Sequence, residues 1–135
     1  MYTTSRYRAI AWGFLAIAIL VNIGGYGLNL YERFNWFDDV THAYTSFAIT
    51  LLLALLLYGD MLAGVRKSPI LLILTVASLG VALGALWEIA EWGYDQMTPT
   101  NDILGKRDTM IDLILNTLGA VVAGFVSVEM VEETK

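Results

Sequence analysis

The chain has 135 residues, of which 57% are hydrophobic and 16% are charged, and its formal net charge is -5 at pH 7. So few polar residues cannot cover a soluble domain, and with an acidic balance no nucleic-acid partner is expected. The apolar residues cluster in runs of about 20 residues, which is the length of a helix that crosses a bilayer. The sequence therefore predicts an integral membrane protein whose surroundings are the lipid bilayer.

Four apolar runs predict an all-α fold, an integral membrane four-helix bundle. The predicted transmembrane helices cover residues 9–30, 40–58, 69–94 and 109–131. Since these spans leave no room for a soluble domain, we expect residues 1–135 to form a single transmembrane domain. The chain contains no cysteine, which excludes a disulfide framework, a thiolate metal site and a cysteine nucleophile.

The first span follows Arg6 and Arg8 as a signal peptide would, but it is longer than a usual signal-peptide core and no cleavage site follows it. We expect it to be retained as an uncleaved helix. Asn22, Tyr26 and Asn29 recur at helical spacing, which predicts that this face of the helix looks into the bundle.

The second span opens with two acids and the only histidine of the chain, Asp38, Asp39 and His42. Residues three and four apart share one side of a helix, so these side chains should form a polar ridge. An alternative interpretation is that Asp38 or Asp39 serves only as a helix N-cap and that His42 only hydrogen-bonds a neighbouring helix.

The third span is predicted to begin at Ser68 and Pro69, with Ser68 as N-cap and Pro69 at the first helical position. Glu88 lies nineteen residues after Pro69, about 28 Å along a helix, and is therefore expected near the far membrane boundary. Glu91 follows one turn later on the same side. Gly80 and Gly84 form a G-x-x-x-G pattern that favours close helix packing.

The fourth span opens with a charged sequence: Lys106, Arg107, Asp108, Asp112 and then Asn116. The two acids and the amide are four residues apart and should form a third polar ridge. The basic pair suits binding of an anionic group such as a phosphate. Two simpler interpretations are that Thr109 and Asp112 form a capping box and that the basic pair is only solvated.

The start of the second span, the end of the third and the start of the fourth share one membrane face, so the three ridges are expected to meet in an acidic pocket. Carboxylates crowded at low dielectric must share protons, pair with cations or hold a metal. Oxygen ligands with one imidazole suit Mg, Mn or Ca, and Zn or Fe also fit. The candidate metal ligands are Asp38, Asp39, His42, Glu88, Glu91, Asp108 and Asp112.

Three motifs carry a resemblance to known families: Asp38-x-x-x-His42, the Glu of Ala85-Leu86-Trp87-Glu88, and Lys106-Arg107-Asp108-x-x-x-Asp112-x-x-x-Asn116-x-x-Gly119. In order and placement they resemble the VanZ-like membrane proteins and the related YjdF-like inner-membrane proteins. The resemblance implies a small polytopic protein of the cell envelope. VanZ-like members are linked to glycopeptide resistance, whereas YjdF-like members have no assigned activity.

Two functional interpretations follow. In the first, the pocket is a metal- or proton-binding site that acts on a polar lipid or a lipid-linked head group. His42 then moves a proton, with Glu88 as the second candidate catalytic residue, and Lys106 and Arg107 receive the anionic group. In the second, the polar ridges only fix helix packing in a non-catalytic accessory protein. The excess of acids favours the first interpretation, and the lack of a nucleophile motif favours the second.

The distribution of basic residues predicts the orientation in the membrane. Arg6, Arg8, Arg66, Lys67 and Lys135 lie on the side of the termini, and Arg33, Lys106 and Arg107 lie on the other. Under the positive-inside rule the termini are cytoplasmic, in a cell (inner) membrane, and the pocket faces outward. A single cysteine introduced at Thr100 should react with an impermeant reagent in intact cells, and one at Thr134 should not. The reverse pattern would show that the orientation is wrong.

Overall fold

The computed structural model describes residues 5–57, 62, 64–65, 67–99 and 105–132. The helices in this part of the chain are α1 (Ser5–Gly27), α2 (Leu30–Arg33), α3 (Asn35–Leu57), α4 (Pro69–Met97) and α5 (Lys106–Glu132). Four of them, α1, α3, α4 and α5, are long and apolar enough to cross a membrane. The predicted all-α class with four membrane spans is therefore confirmed.

Two helices begin earlier than predicted, which removes both simple capping interpretations. Helix α3 begins at Asn35, directly after the extended backbone of Phe34. Asp38 therefore lies within the first turn, and Asp39 follows it inside the helix. Helix α5 begins at Lys106, and the Thr109 amide donates to the Gly105 carbonyl oxygen. Asp38, Asp39 and Thr109 are therefore not N-cap residues.

The predicted inward face of the first helix holds for Asn22, is partly met by Tyr26, which lines a cavity with an exposed side chain, and is wrong for Asn29. Helix α1 ends at Gly27, and Asn29 adopts a left-handed conformation with φ of 55° before α2 begins. Asn29 thus does not continue the face of α1, and the Tyr26 side chain is 62% exposed. Asn22 does face the bundle, since its side-chain amide donates to Thr45 Oγ1 of α3 at 3.1 Å.

Helix α4 begins as predicted. The Ser68 hydroxyl accepts a hydrogen bond from the Leu71 amide at 3.5 Å, and Pro69 occupies the first helical turn. With 29 residues, α4 is about 44 Å long, more than the roughly 30 Å of bilayer hydrocarbon. Glu88 consequently lies two to three turns before the C-terminal end of α4 rather than at that end.

Helices α3, α4 and α5 meet in successive layers, each made of one residue from each helix. The first layer consists of Thr50, Gly80 and Ala120, where a Cβ on Gly80 would overlap both neighbours. Glycine is required here because Ala120 Cβ and the Thr50 side chain already occupy the space that any side chain would need. We call this the Thr50 layer.

One helical turn away, Ser46, Gly84 and Asn116 form the second layer, the Ser46 layer. The Ser46 hydroxyl donates to the Asn116 carbonyl oxygen at 2.7 Å, and a Cβ on Gly84 would lie 2.8 Å from Asn116 Cβ. From the Thr50 layer to the Ser46 layer, the residue numbers fall by four on α3 and α5 and rise by four on α4. This pattern arises because α3 and α5 run in the same direction and α4 runs in the opposite one.

The other end of the bundle is apolar. Its buried side chains include Leu51, Leu55, Leu72, Val76 and Val131. Helix α1 lies outside this three-helix core and packs mainly on α3, whereas α4 packs mainly on α5. A groove therefore remains between α1 and α4, with α3 as its floor.

Gly119 provides a direct test of the packing between α3 and α5. A Cβ at this position would overlap the Ala43 carbonyl oxygen and lie 3.0 Å from the Phe47 amide nitrogen, and backbone atoms cannot rotate away. We expect Gly119→Ala to lower the free energy of unfolding by about 1–3 kcal/mol, the usual cost of overpacking.

The matched control is Gly24→Ala on α1, where nothing lies within 4 Å of the added Cβ. Thermal unfolding in detergent should show a lower midpoint for Gly119→Ala and a midpoint close to the wild type for Gly24→Ala. Equal midpoints for the two variants would contradict the close contact of α3 with α5.

Candidate functional site

A third layer, one turn beyond the Ser46 layer, consists of His42, Glu88 and Asp112. His42 Nδ1 lies 3.7 Å from Glu88 Oε1, and His42 Nε2 lies 3.9 Å from Asp112 Oδ1. The three residues are only 9%, 5% and 4% exposed, respectively. The register that packs the glycines thus continues into this His42 layer and brings one charged or titratable side chain from each helix together.

Two further carboxylates complete the group. Asp38, one turn before His42 on α3, places Oδ1 3.4 Å from His42 Nε2. The ligand atoms of Asp38, His42 and Asp112 lie within 4.8 Å of one another, and so do those of His42, Glu88 and Glu91. We call these five residues the His42 cluster. His42 belongs to both groups and is therefore its centre.

The charges in the His42 cluster are unbalanced, with four carboxylates around a single imidazole. Both Glu88 oxygens are buried, and neither has a hydrogen-bond donor among the residues that the structure describes. An ionised carboxylate in this position costs several kcal/mol unless a proton or a cation compensates it. The cationic group that lies within 4 Å of Asp38, Glu88 and Asp112 is His42, which cannot neutralise all of them.

Other predicted site residues lie outside the cluster. Asp39 and Asp108 belong to neither group of converging ligand atoms in the described part of the chain. Lys106 and Arg107 are exposed at the start of α5, about 8–9 Å along the helix from Asp112. They lie at the same end of the bundle as the cluster, and their predicted contact with an anionic group stays a prediction.

The groove between α1 and α4 leads directly to the His42 cluster. It encloses a cavity of about 550 Å³ that opens to the outside. Asp38, His42 and Glu91 line the cavity at one end, and it extends to Thr50, about 12 Å farther along α3. Glu88 and Asp112 do not line it and lie behind His42. The cluster therefore has a buried side and a side that faces the groove.

The sequence did not indicate the role of Tyr31 from α2. Its hydroxyl donates to Asn22 Oδ1 at 2.7 Å, which joins the short helix to α1 beside the cavity. Burial raises the pKa of Tyr31 above its ordinary value, so this hydroxyl keeps its proton at neutral pH. Tyrosine is common at membrane interfaces, and nothing in its sequence position distinguishes this inward-facing one.

The fold and the site together define a small four-helix membrane protein with a partly buried cluster of one histidine and four carboxylates at one end of the bundle. The chain belongs to the family of predicted membrane proteins known as DUF2238, whose family model matches residues 3–132.

One curated relative is an uncharacterized protein of Thermotoga maritima, which is 37% identical to this chain over 106 residues. The aligned region covers 74% of this chain and 52% of the relative, so the chain spans about half the length of that protein. No solved structure shows significant similarity to the chain.

Proposed function

We propose that the His42 cluster binds a divalent cation and that the protein uses this cation to engage the polar head group of a membrane lipid or lipid-linked molecule. The observation that carries the proposal is the Glu88 carboxylate, which is 5% exposed and has no hydrogen-bond donor on either oxygen among the described residues. A cation beside Glu88 and His42 supplies the missing compensation.

The spacing of the side chains suits a metal ion. The two imidazole nitrogens of His42 face different carboxylates: Nδ1 lies 3.7 Å from Glu88 Oε1, and Nε2 lies 3.4 Å from Asp38 Oδ1 and 3.9 Å from Asp112 Oδ1. The proposed cation lies on the Nδ1 side, beside Glu88. Ligand atoms that lie about 2.0–2.6 Å from one cation are separated from one another by roughly 3–4 Å. Oxygen ligands with a single imidazole suit Mg, Mn or Ca, and Zn or Fe are further candidates.

The cavity explains how such a cation could reach a head group. His42 and Glu91 line the groove, so a cation between them has an open side toward it. A cation held by His42 Nδ1 and Glu88 would polarise an oxygen of the head group, and His42 Nε2 would accept or donate a proton there. Lys106 and Arg107, exposed at the same end, are candidates to hold an anionic part of that group.

The cellular setting is part of the same proposal. The resemblance to VanZ-like and YjdF-like proteins favours an envelope protein of the inner membrane, and the distribution of Lys and Arg favours cytoplasmic termini. In that orientation the His42 cluster lies toward the outer face, where it meets envelope lipids.

Metal analysis of the purified protein tests the proposal. After loading with Mn²⁺ and removal of the excess, we expect about one ion per chain in the wild type and a large loss in Glu88→Ala. Asp39→Asn is the matched control, because it removes an acid one residue from Asp38 that lies outside both converging groups. This control should keep its metal.

Thermal stability in the presence and absence of EDTA separates cation binding from proton sharing. A cation that binds only the folded protein raises its unfolding temperature, and EDTA should remove that increase in the wild type and in Asp39→Asn. Glu88→Gln should be less stable than the wild type with metal, and EDTA should change it little. If the wild type holds no metal and EDTA has no effect, the cluster shares protons or serves only helix packing, and the proposal is refuted.

A further inference from the structure

The groove between α1 and α4 has the shape of a binding site for a hydrocarbon chain. Its volume of about 550 Å³ falls within the range of small-molecule sites, roughly 300–1,000 Å³. Apolar side chains such as Leu15, Ile19 and Leu83 line the part away from the His42 cluster. Since α1 and α4 are both membrane-spanning, the groove between them opens sideways toward lipid tails.

The polar end of the groove carries negative charge. Asp38 and Glu91 line it, and none of the described lining residues is Lys or Arg. The proposed cation, placed beside Glu88, takes its ligands from the group of His42, Glu88 and Glu91, on the Nδ1 side of the ring. Asp38 lies near His42 Nε2, outside that group, and lines the groove as an acidic side chain, which favours a positively charged group there.

Aromatic side chains at the same end strengthen this preference. Tyr26 and Trp87 line the groove and are each more than half exposed. Ammonium groups bind favourably against aromatic faces, and carboxylates beside those faces add an ion pair. An amine-bearing head group fits this combination of side chains better than a purely anionic one.

We propose that the groove binds a hydrocarbon chain of an amine-bearing membrane lipid, with the ammonium group of the lipid at Asp38. The inference rests on the proposed function, because a cation held by His42, Glu88 and Glu91 leaves Asp38 to the lipid. It names the substrate class of the same site. The hydrocarbon chain of the lipid lies along α3 from the His42 layer to the Thr50 layer.

The test compares two lipids with the same acyl chain, lysophosphatidylethanolamine and lysophosphatidylglycerol, by native mass spectrometry of the protein in detergent. Wild type should bind the amine-bearing lipid about tenfold more tightly, a difference of about 1.4 kcal/mol. Asp38→Asn should abolish this preference while leaving weak binding of both lipids through the acyl chain.

Two tryptophan variants on α4 test the groove itself. Ala90 lines the groove and is exposed, whereas Ala82, two turns earlier on α4, is exposed but does not line it. Ala90→Trp should weaken binding of both lipids about tenfold by occupying the groove, and Ala82→Trp should bind as the wild type does. Both variants should keep their bound metal, because neither position belongs to the His42 cluster.

Metal content is measured on the same samples, so each proposal can fail separately. Equal affinity of wild type for the two lipids overturns the assignment of an amine-bearing lipid. Undiminished binding by Ala90→Trp overturns the groove as the binding site. A change of oligomeric state in Ala90→Trp, without a change in lipid binding, identifies the groove as a contact between copies and also overturns the proposal. Absence of metal with intact lipid preference refutes only the proposed cation site.

Discussion

Close contact between α4 and α5 determines where the charged side chains of the bundle lie. At Gly80 and Gly84 the two helices approach so closely that an added Cβ would meet Ala120 or Asn116. One further turn along the same register brings Glu88 opposite Asp112, and α3 adds His42 between them. The close packing at the glycines fixes the register of the helices. One turn farther along, the same register brings the charged side chains of the His42 layer together.

This arrangement divides the bundle into two regions with different physical roles. The end with Leu55, Leu72 and Val131 buries apolar surface, and the opposite end buries carboxylates that are costly in a membrane. The cost of burial differs among the four carboxylates of the His42 cluster. Glu88 and Asp112 lie behind His42, whereas Asp38 and Glu91 face the groove. Under the proposed function, the Nδ1 side of His42 holds the cation and Asp38, near Nε2, meets the lipid.

Much of this organisation could be predicted from the sequence. The lengths of the apolar runs predicted the four spans, and the spacing of the polar residues predicted the polar ridges. Ser68 and Pro69 predicted the start of α4. The early start of α3 was missed because Asn35 to Phe37 lie in an aromatic stretch that also suits an interfacial loop. The groove and the inward position of Tyr31 could not be predicted, since both depend on how α1 packs against α3. The spacing of residues along the sequence also could not show that Asp39 and Asp108 lie outside the two groups of converging ligand atoms.

Electron spin echo spectroscopy of Mn²⁺ bound to the purified protein tests the central claim most directly, because it detects a nitrogen that is bound to the metal. The account predicts modulation from one directly coordinated imidazole nitrogen in the wild type and its loss in His42→Gln. His42 is the only histidine, so the assignment is unambiguous. A bound Mn²⁺ without nitrogen modulation, or a spectrum unchanged in His42→Gln, would contradict a cation site centred on His42.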